Sequence, residues 1–175
     1  MSCTMHQLLR DNRPVEVSVN GVVIPRDMIA REVQHHPASK PVDAWLSAAR
    51  ALVVRELLLQ EARRIGIAAM PHSDERGRRE TDEDALIRVL IEREITTPEP
   101  DEESCRRYYE QRKRLFRSRK AGSPDLPFEQ VADRIADYLH ESVKRRAIAQ
   151  YIARLVSDAE ITGVALAGAE AHRVN

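Results

Sequence analysis

The chain has 175 residues, which is enough for one domain or two small intertwined lobes with a substantial hydrophobic core. Its 28 Lys and Arg residues balance its 28 Asp and Glu residues, so the net charge excludes a whole-chain attraction to nucleic acid or anionic lipid. Aromatic residues make up only 4%, and there are only six glycines. This composition disfavours an all-β protein and favours long, charged helices with aliphatic cores.

A β-hairpin and a short helix are predicted first. Three valines alternate with polar residues ahead of Asn20-Gly21, a dipeptide that favours a two-residue turn, which predicts a hairpin over residues 15–24. Pro25 then stands where the first residue of a helix tolerates proline. We therefore expect a first helix over about residues 25–34.

Two further helices follow. Apolar residues at steps of three and four from Pro41 predict a second helix, which Gly66 ends as a left-handed cap with Ile67 in a Schellman motif. Its apolar stripe comprises Val42, Trp45, Leu46, Ala49, Leu52, Val53, Leu57 and Leu59. After a polar loop, Thr81 and Asp84 resemble a capping box that opens a third helix. The inward residues of this helix should be Leu86, Val89, Leu90 and Ile95.

The C-terminal half predicts a fourth helix, a long fifth helix and a strand. Acidic residues 101–103 suit the positive end of the fourth helix. Its buried face should consist of Cys105, Tyr108, Tyr109 and Phe116. Helical spacing of apolar residues predicts the fifth helix over residues 128–157. An isolated two-stranded hairpin is marginal in water, so a strand within residues 161–166 should join it and bring the chain ends together.

These elements predict a mainly α fold with about five helices, one of them long and C-terminal, and a small β-hairpin joined by a C-terminal strand. The two cysteines, Cys3 and Cys105, have neither disulfide-framework nor zinc-ligand spacing, which favours a reducing compartment. The first residues contain no apolar core of signal-peptide length, and no stretch approaches the roughly 20 apolar residues of a membrane span. We therefore expect a soluble cytoplasmic protein without a membrane partner.

Several segments together resemble one protein family. Residues 19–26 (VNGVVIPR) and 57–67 (LLLQEARRIGI) are similar to the N-terminal chaperone module of parvulin-type peptidyl-prolyl cis-trans isomerases, the SurA-like and NifM-like group. Residues 98–110 (PEPDEESCRRYYE) resemble the acidic-start helix with a Tyr-Tyr pair that precedes the catalytic domain in this family. Residues 127–139 and 159–166 resemble the part that follows the catalytic domain and completes the module.

The catalytic domain of the family has no counterpart. Only eleven residues separate Phe116 from Phe128, whereas a parvulin domain is a compact fold of its own. The resemblance therefore implies a chaperone module whose parvulin domain was either lost naturally or excised. Its parts are a flexible N-terminus (1–14), the N-terminal part of the module (15–116), a linker at the insertion point (117–127), the completing helix and strand (128–166), and a flexible tail (167–175).

The resemblance implies a molecular chaperone or maturation factor that binds unfolded or partly folded polypeptide. The candidate client-binding residues are Tyr108, Tyr109, Phe116 and Trp45. The first three precede the position of the absent domain in the chain. They combine flat apolar area with few rotatable bonds. For Trp45, ordinary packing in a helix core is the favoured interpretation.

No sequence pattern supports an independent enzyme, a cofactor site or a metal site. There is no Ser-His-Asp set, phosphate-binding glycine loop or HExxH pattern. The histidines that could act in catalysis are scattered over different predicted elements: His35, His36, His72 and His140. The sequence therefore predicts a non-enzymatic protein, although it could also be the scaffold portion of an active isomerase.

A nucleic-acid-binding helical protein is the alternative from another class. Residues 106–120 contain eight basic residues and one acidic residue, which phosphate groups could contact. The preceding residues 80–103 contain ten acidic residues and two basic ones. We favour mutual neutralisation of these two segments between neighbouring helices, which makes nucleic-acid binding the less favoured interpretation.

Overall fold

A computed structural model describes residues 16–117 and 126–166, within which the fold is mainly α, with five helices and a small three-stranded antiparallel sheet. The described residues form two compact units. The first unit contains residues 16–90 and 152–166, and the second contains 91–117 and 126–151. The predicted fold class is confirmed. The predictions for the flexible ends (1–14 and 167–175) and for most of the linker (118–125) lie outside the described residues.

The sheet of the first unit joins the two ends of the described chain. Its strands are β1 (Ser18–Val19), β2 (Val22–Val23) and β3 (Ile161–Thr162), in the order β2-β1-β3 with both pairs antiparallel. Asn20 and Gly21 connect β1 to β2 with φ of 51° and 82°, as the mirror-image turns of two-residue hairpins require. The predicted hairpin and the predicted meeting of the chain ends are both confirmed.

Two helices of the first unit follow the hairpin. Helix α1 (Arg26–Glu32) continues into a 3-10 turn (Val33–His35), and α2 spans Pro41–Arg64. Pro25 lies at the N-cap in extended conformation, one position before the first helical residue, which corrects its predicted place. At the end of α2, the Gly66 amide donates to Arg63 and the Ile67 amide to Ala62, at 3.1 and 2.9 Å. These two bonds are those of the predicted Schellman motif.

The core of the first unit lies between the sheet and the two helices. Its most deeply buried side chains include Val19, Ile29 and Val53, which come from β1, α1 and α2. Val42 was predicted to belong to the apolar stripe of α2, but it is 66% exposed. Val42 lies in the first turn of α2, which explains the difference. The periodicity of apolar residues identifies which face of a helix is apolar, but it does not show where along the helix the covering elements begin.

Helix α3 (Asp82–Glu94) begins with half of the predicted capping box. The Thr81 hydroxyl accepts the amide of Asp84 at 3.1 Å and donates to its carboxylate at 2.7 Å. The Asp84 carboxylate therefore does not return to the Thr81 backbone, and instead it also accepts from Arg55 of α2 at 2.7 Å. This ion pair connects α2 to the start of α3.

The second unit contains helix α4 (Glu102–Gln111), a 3-10 turn (Lys113–Phe116) and most of the long helix α5 (Phe128–Ser157). The Asp101 side chain caps α4 by accepting the Ser104 amide. The bounds of α5 agree with the predicted ones. No helix within residues 16–117 and 126–166 is both long and apolar enough to span a membrane.

The charged segments are neutralised differently from the prediction. Arg106 and Arg107 pair with Glu102 and Glu103, at 2.7 and 2.8 Å, one turn earlier in the same helix. Lys113 pairs with Glu110 at 2.7 Å. These three ion pairs therefore lie within one helix and the turn after it, whereas the prediction placed the pairing between neighbouring helices.

The approach of Gly163 to β1 generates a stability prediction. Gly163 has a φ of 79°, and a Cβ there would clash with the carbonyl oxygen of Glu16 and lie 2.9 Å from its carbonyl carbon. Gly77 has a φ of 76° but no atom within 4 Å of the same Cβ position. We expect Gly163→Ala to lower the free energy of unfolding by about 2 to 4 kcal/mol and Gly77→Ala by about 1 kcal/mol. Equal losses in urea titrations would show that Gly163 has room for a side chain.

The contacts of Asp84 generate a pH prediction. The Thr81 hydroxyl, followed by the Arg55 guanidinium, holds the pKa of Asp84 below its usual range. A carboxyl group whose pKa is lowered by folding stabilises the protein fully above about pH 5, and this contribution is lost as the pH falls through the lowered pKa. We expect the urea midpoint of Asp84→Asn to fall less between about pH 5 and pH 2 than that of the natural chain. Parallel pH profiles would contradict this assignment.

Candidate functional site

The second unit contains a cluster of five aromatic rings from three elements. Helix α4 contributes Tyr108 and Tyr109, the 3-10 turn contributes Phe116, and α5 contributes Phe128 and Tyr138. The ring centroid of Tyr109 lies 5.0 Å from that of Phe116 and 5.7 Å from that of Phe128. The centroid of Tyr108 lies 5.3 Å from that of Tyr138 and 6.5 Å from that of Phe116. We call these five rings the aromatic cluster.

Two hydrogen bonds next to the cluster hold Leu126 close to Phe116 and Tyr109. The Leu126 amide donates to the Phe116 carbonyl at 3.0 Å, and the Tyr109 hydroxyl donates to the Leu126 carbonyl at 2.7 Å. The chain therefore leaves the cluster after Phe116 and returns to it at Leu126. We call the hydrogen-bonded pair of Phe116 and Leu126 the closed stem.

One side of the aromatic cluster packs against a small core. Cys105, Val131 and Ile135 are buried in this core together with Phe128, and Tyr108, Tyr109 and Phe116 pack against it while half-buried. Burial raises the pKa of the Cys105 thiol, which disfavours the reactive thiolate. Cys105 therefore acts here as a small apolar side chain. Burial also raises the pKa of Tyr108.

The other side of the cluster faces solvent. Tyr138, one of the rings, is 52% exposed, and two leucines beside Phe116 are exposed as well: Leu115, which precedes it in the chain, by 65%, and Leu126, which is hydrogen-bonded to it, by 39%. Arg106 lies over the Phe128 ring at 4.5 Å and Arg112 over the Tyr108 ring at 6.0 Å, so cations border the rings. We call this surface, formed by the half-buried rings and the three exposed side chains, the apolar patch.

The structure brings together three of the four predicted site residues. Tyr108, Tyr109 and Phe116 are members of the aromatic cluster, whereas Trp45 belongs to the first unit and packs half-buried against its core. The position of Trp45 agrees with the core interpretation. The sequence did not indicate Tyr138 or Leu126. For Tyr138, the neighbouring Leu139 occupied the apolar position of the helix pattern. Leu126 lies beside the rings only because the closed stem brings it there.

The first unit has two open grooves with charged walls. One has a volume of about 670 Å³ and is bordered by Gln60, Glu61 and Arg154. The other has a volume of about 610 Å³ and is bordered by Met28 and Arg55. Many of their charged groups already have partners: Glu61 accepts from Arg64 at 2.6 Å, for example. Among the described residues, no three His, Cys, Asp or Glu side chains come together as metal ligands would.

Comparisons with family models, with curated proteins and with solved structures found no match to this chain.

The closed stem generates a prediction for a conservative variant. Tyr109→Phe keeps the ring and its packing but removes the hydroxyl that donates to Leu126. We expect it to lower the free energy of unfolding by about 0.5 to 1 kcal/mol, the usual net contribution of one hydrogen bond. Chemical denaturation measures this loss. An unchanged midpoint would show that the stem is held by the Leu126 amide alone.

Proposed function

We propose that this protein is a molecular chaperone or maturation factor that holds unfolded or partly folded polypeptide against the apolar patch. The observation that carries the proposal is the exposure of Leu115, Tyr138 and Leu126 beside half-buried aromatic rings. Exposed apolar side chains grouped beside a core and bordered by polar side chains mark sites of protein interaction. The compartment consistent with this proposal is the cytoplasm.

The chemistry of the patch suits polypeptides of varied sequence. Aromatic rings supply large contact area and lose little conformational entropy when they are immobilised, because each ring has only two side-chain torsions. Arg106 and Arg112 at the border keep charge next to the apolar surface, which favours solubility of the bound complex. A chaperone needs this combination because its clients share exposed apolar side chains and not a sequence.

The closed stem supports descent from a parvulin-type isomerase without its catalytic domain. Domain insertion is tolerated where the two chain ends of the insertion point lie close together. Phe116 and Leu126 meet this condition, because a backbone hydrogen bond of 3.0 Å joins them. We therefore propose that the linker marks the place of the absent domain. The proposed protein needs no cofactor and acts by binding.

Nucleic-acid binding is the less supported alternative. Three cations of the basic segment, Arg106, Arg107 and Lys113, already have carboxylate partners within 2.8 Å. Neutralising phosphates would require these ion pairs to be exchanged, which reduces the gain from counterion release. A mobility-shift titration against salt separates the two functions, because phosphate contacts weaken steeply with salt and apolar contacts do not.

The proposal predicts that Leu115→Ser weakens suppression of client aggregation. Leu115 is 65% exposed, so the substitution removes apolar patch surface with little loss of packing. Met70→Ser is the matched control, because Met70 is also 65% exposed but lies in the loop of the first unit. We expect Leu115→Ser to raise the concentration needed for half-maximal suppression by about threefold, and Met70→Ser to leave it unchanged. Light scattering of a chemically unfolded client measures both.

The melting temperature distinguishes a binding defect from a folding defect. Both serine variants should melt within about 2 °C of the natural chain, since surface substitutions rarely change stability by more than about 0.5 kcal/mol. If Leu115→Ser suppresses aggregation as well as the natural chain does, clients bind elsewhere and the proposal fails. If both variants lose suppression equally, the effect belongs to general surface hydrophobicity and the proposal also fails.

A further inference from the structure

The turn between β1 and β2 contains a dipeptide that is prone to a covalent reaction. Asn20-Gly21 is the only Asn-Gly pair in the sequence. An asparagine followed by glycine is susceptible to deamidation, because glycine has no side chain to hinder attack by its backbone nitrogen. Both residues are exposed, so the water that the reaction consumes has access to them.

Deamidation at this turn takes two steps and needs no reactant except water. In the first step the backbone nitrogen of Gly21 attacks the side-chain carbonyl carbon of Asn20. A C–N bond forms, and Nδ2 leaves as ammonia together with the proton of the Gly21 amide. In the second step water opens the five-membered succinimide ring. Attack on the side-chain carbonyl gives aspartate, and attack on the backbone carbonyl gives isoaspartate, in which the backbone runs through the side chain.

Both polar atoms of the Asn20 side chain have partners on other elements of the first unit. Oδ1 accepts the amide of Glu160, just before β3, at 2.8 Å. Nδ2 donates to Oε1 of Gln60, on α2, at 2.8 Å. Attack by Gly21 turns the flat amide into a tetrahedral centre, which moves Oδ1 and Nδ2 from the positions that these bonds fix. The native fold therefore opposes the first step of the reaction.

The same hydrogen bonds distinguish asparagine from aspartate. Nε2 of Gln60 donates to the Val19 carbonyl at 3.2 Å and to the Glu56 carboxylate at 2.8 Å. Oε1 is consequently the atom that faces Asn20, and it needs a donor there, which ionised aspartate lacks. Turning the Gln60 amide over would place Oε1 against the Val19 carbonyl and the Glu56 carboxylate. An aspartate at position 20 therefore leaves two acceptors in contact in either orientation.

We propose that Asn20 is a site of spontaneous deamidation, which its bonds to Glu160 and Gln60 keep slow and whose products weaken the pairing of β3 with β1. Separation of β3 breaks the bond to Glu160 and frees the side chain to react. Aspartate then cannot restore the bond to Gln60, and isoaspartate lengthens the backbone of a two-residue turn. Because ammonia leaves, an opening of the sheet becomes a lasting change. This proposal is independent of the proposed function, since none of these residues belongs to the apolar patch.

Peptide mapping by mass spectrometry after incubation at mildly alkaline pH tests the site. We expect Asn20 of the natural chain to react at least about tenfold more slowly in the native state than in guanidinium chloride, because the native state must first open. Gln60→Met removes the partner of Nδ2 and keeps a good helix former. We expect it to raise the native rate about fivefold, the effect of one lost hydrogen bond.

Gln34→Met is the matched control for this substitution. Gln34 is exposed in the 3-10 turn of the first unit, and its side chain bonds to His35 and not to the hairpin. The native rate at Asn20 should stay unchanged in this variant. In guanidinium chloride the natural chain and both variants should react at one rate, because neither glutamine is near Asn20 in the sequence.

Asn20→Asp tests the consequence of the reaction, because it contains the aspartate product from the start. The backbone amide of residue 20 donates to the Glu160 carbonyl at 2.8 Å in the natural chain. We expect the protection of this amide from hydrogen exchange to fall about fivefold in the variant. Unchanged protection would show that aspartate holds β3 as well as asparagine does, and it would overturn the proposed effect of the products.

Each remaining outcome also decides the proposal. Equal rates in the native and unfolded natural chain, or no reaction at Asn20 in the unfolded chain, would overturn it. A native rate of Gln60→Met no higher than that of Gln34→Met would overturn it as well. Gly77→Ala destabilises the first unit without contacting Asn20, because its Cβ meets no atom within 4 Å and only its φ of 76° is unfavourable. If it raised the rate as much as Gln60→Met does, global unfolding and not these bonds would control the reaction.

Discussion

The pairing of β3 with β1 is the interaction on which the first unit depends. The Asn20 amide donates to the Glu160 carbonyl, and the Glu160 amide donates to the Asn20 side chain, both at 2.8 Å. These residues are 140 positions apart in the chain. Closing so long a loop costs conformational entropy before any contact is gained, so the pairing of β3 with β1 is the costly step in forming the sheet. In chain order, the second unit is inserted between the two parts of the first.

Local signals in the sequence predicted the elements well, whereas exposure was predicted less well. The hairpin, the Schellman motif and the bounds of α5 depend on residues within a few positions of one another, so they could be derived without the fold. Val42 was placed on the apolar stripe of α2 and is 66% exposed. An apolar stripe shows which face a helix would bury. The length of that face that is covered depends on neighbouring elements, which the periodicity does not reveal.

Part of the candidate site was predictable for the same reason. Tyr108 and Tyr109 precede Phe116 by about two turns, so the sequence predicted that they share a buried face, and the structure places them in one cluster. Leu126 joins this cluster through a bond across the linker, which no local pattern could indicate. The ion pairs of α4 could have been predicted, because Glu102 and Arg106 are four residues apart, which is the spacing of helical ion pairs. This spacing favours pairing within one helix over pairing between helices.

The small core of the second unit explains why its aromatic rings pack against buried side chains and also remain partly exposed to solvent. Among the described residues of this unit, the buried side chains are Cys105, Phe128, Val131, Ile135 and Tyr151. So few buried side chains give little hydrophobic stabilisation, and the half-buried rings therefore contribute to the core itself. Replacing Tyr109 and Phe116 with serine would remove part of that core, so its effect on client binding could not be separated from unfolding. Residues at the exposed border, such as Leu115, are the ones at which binding and folding become distinguishable.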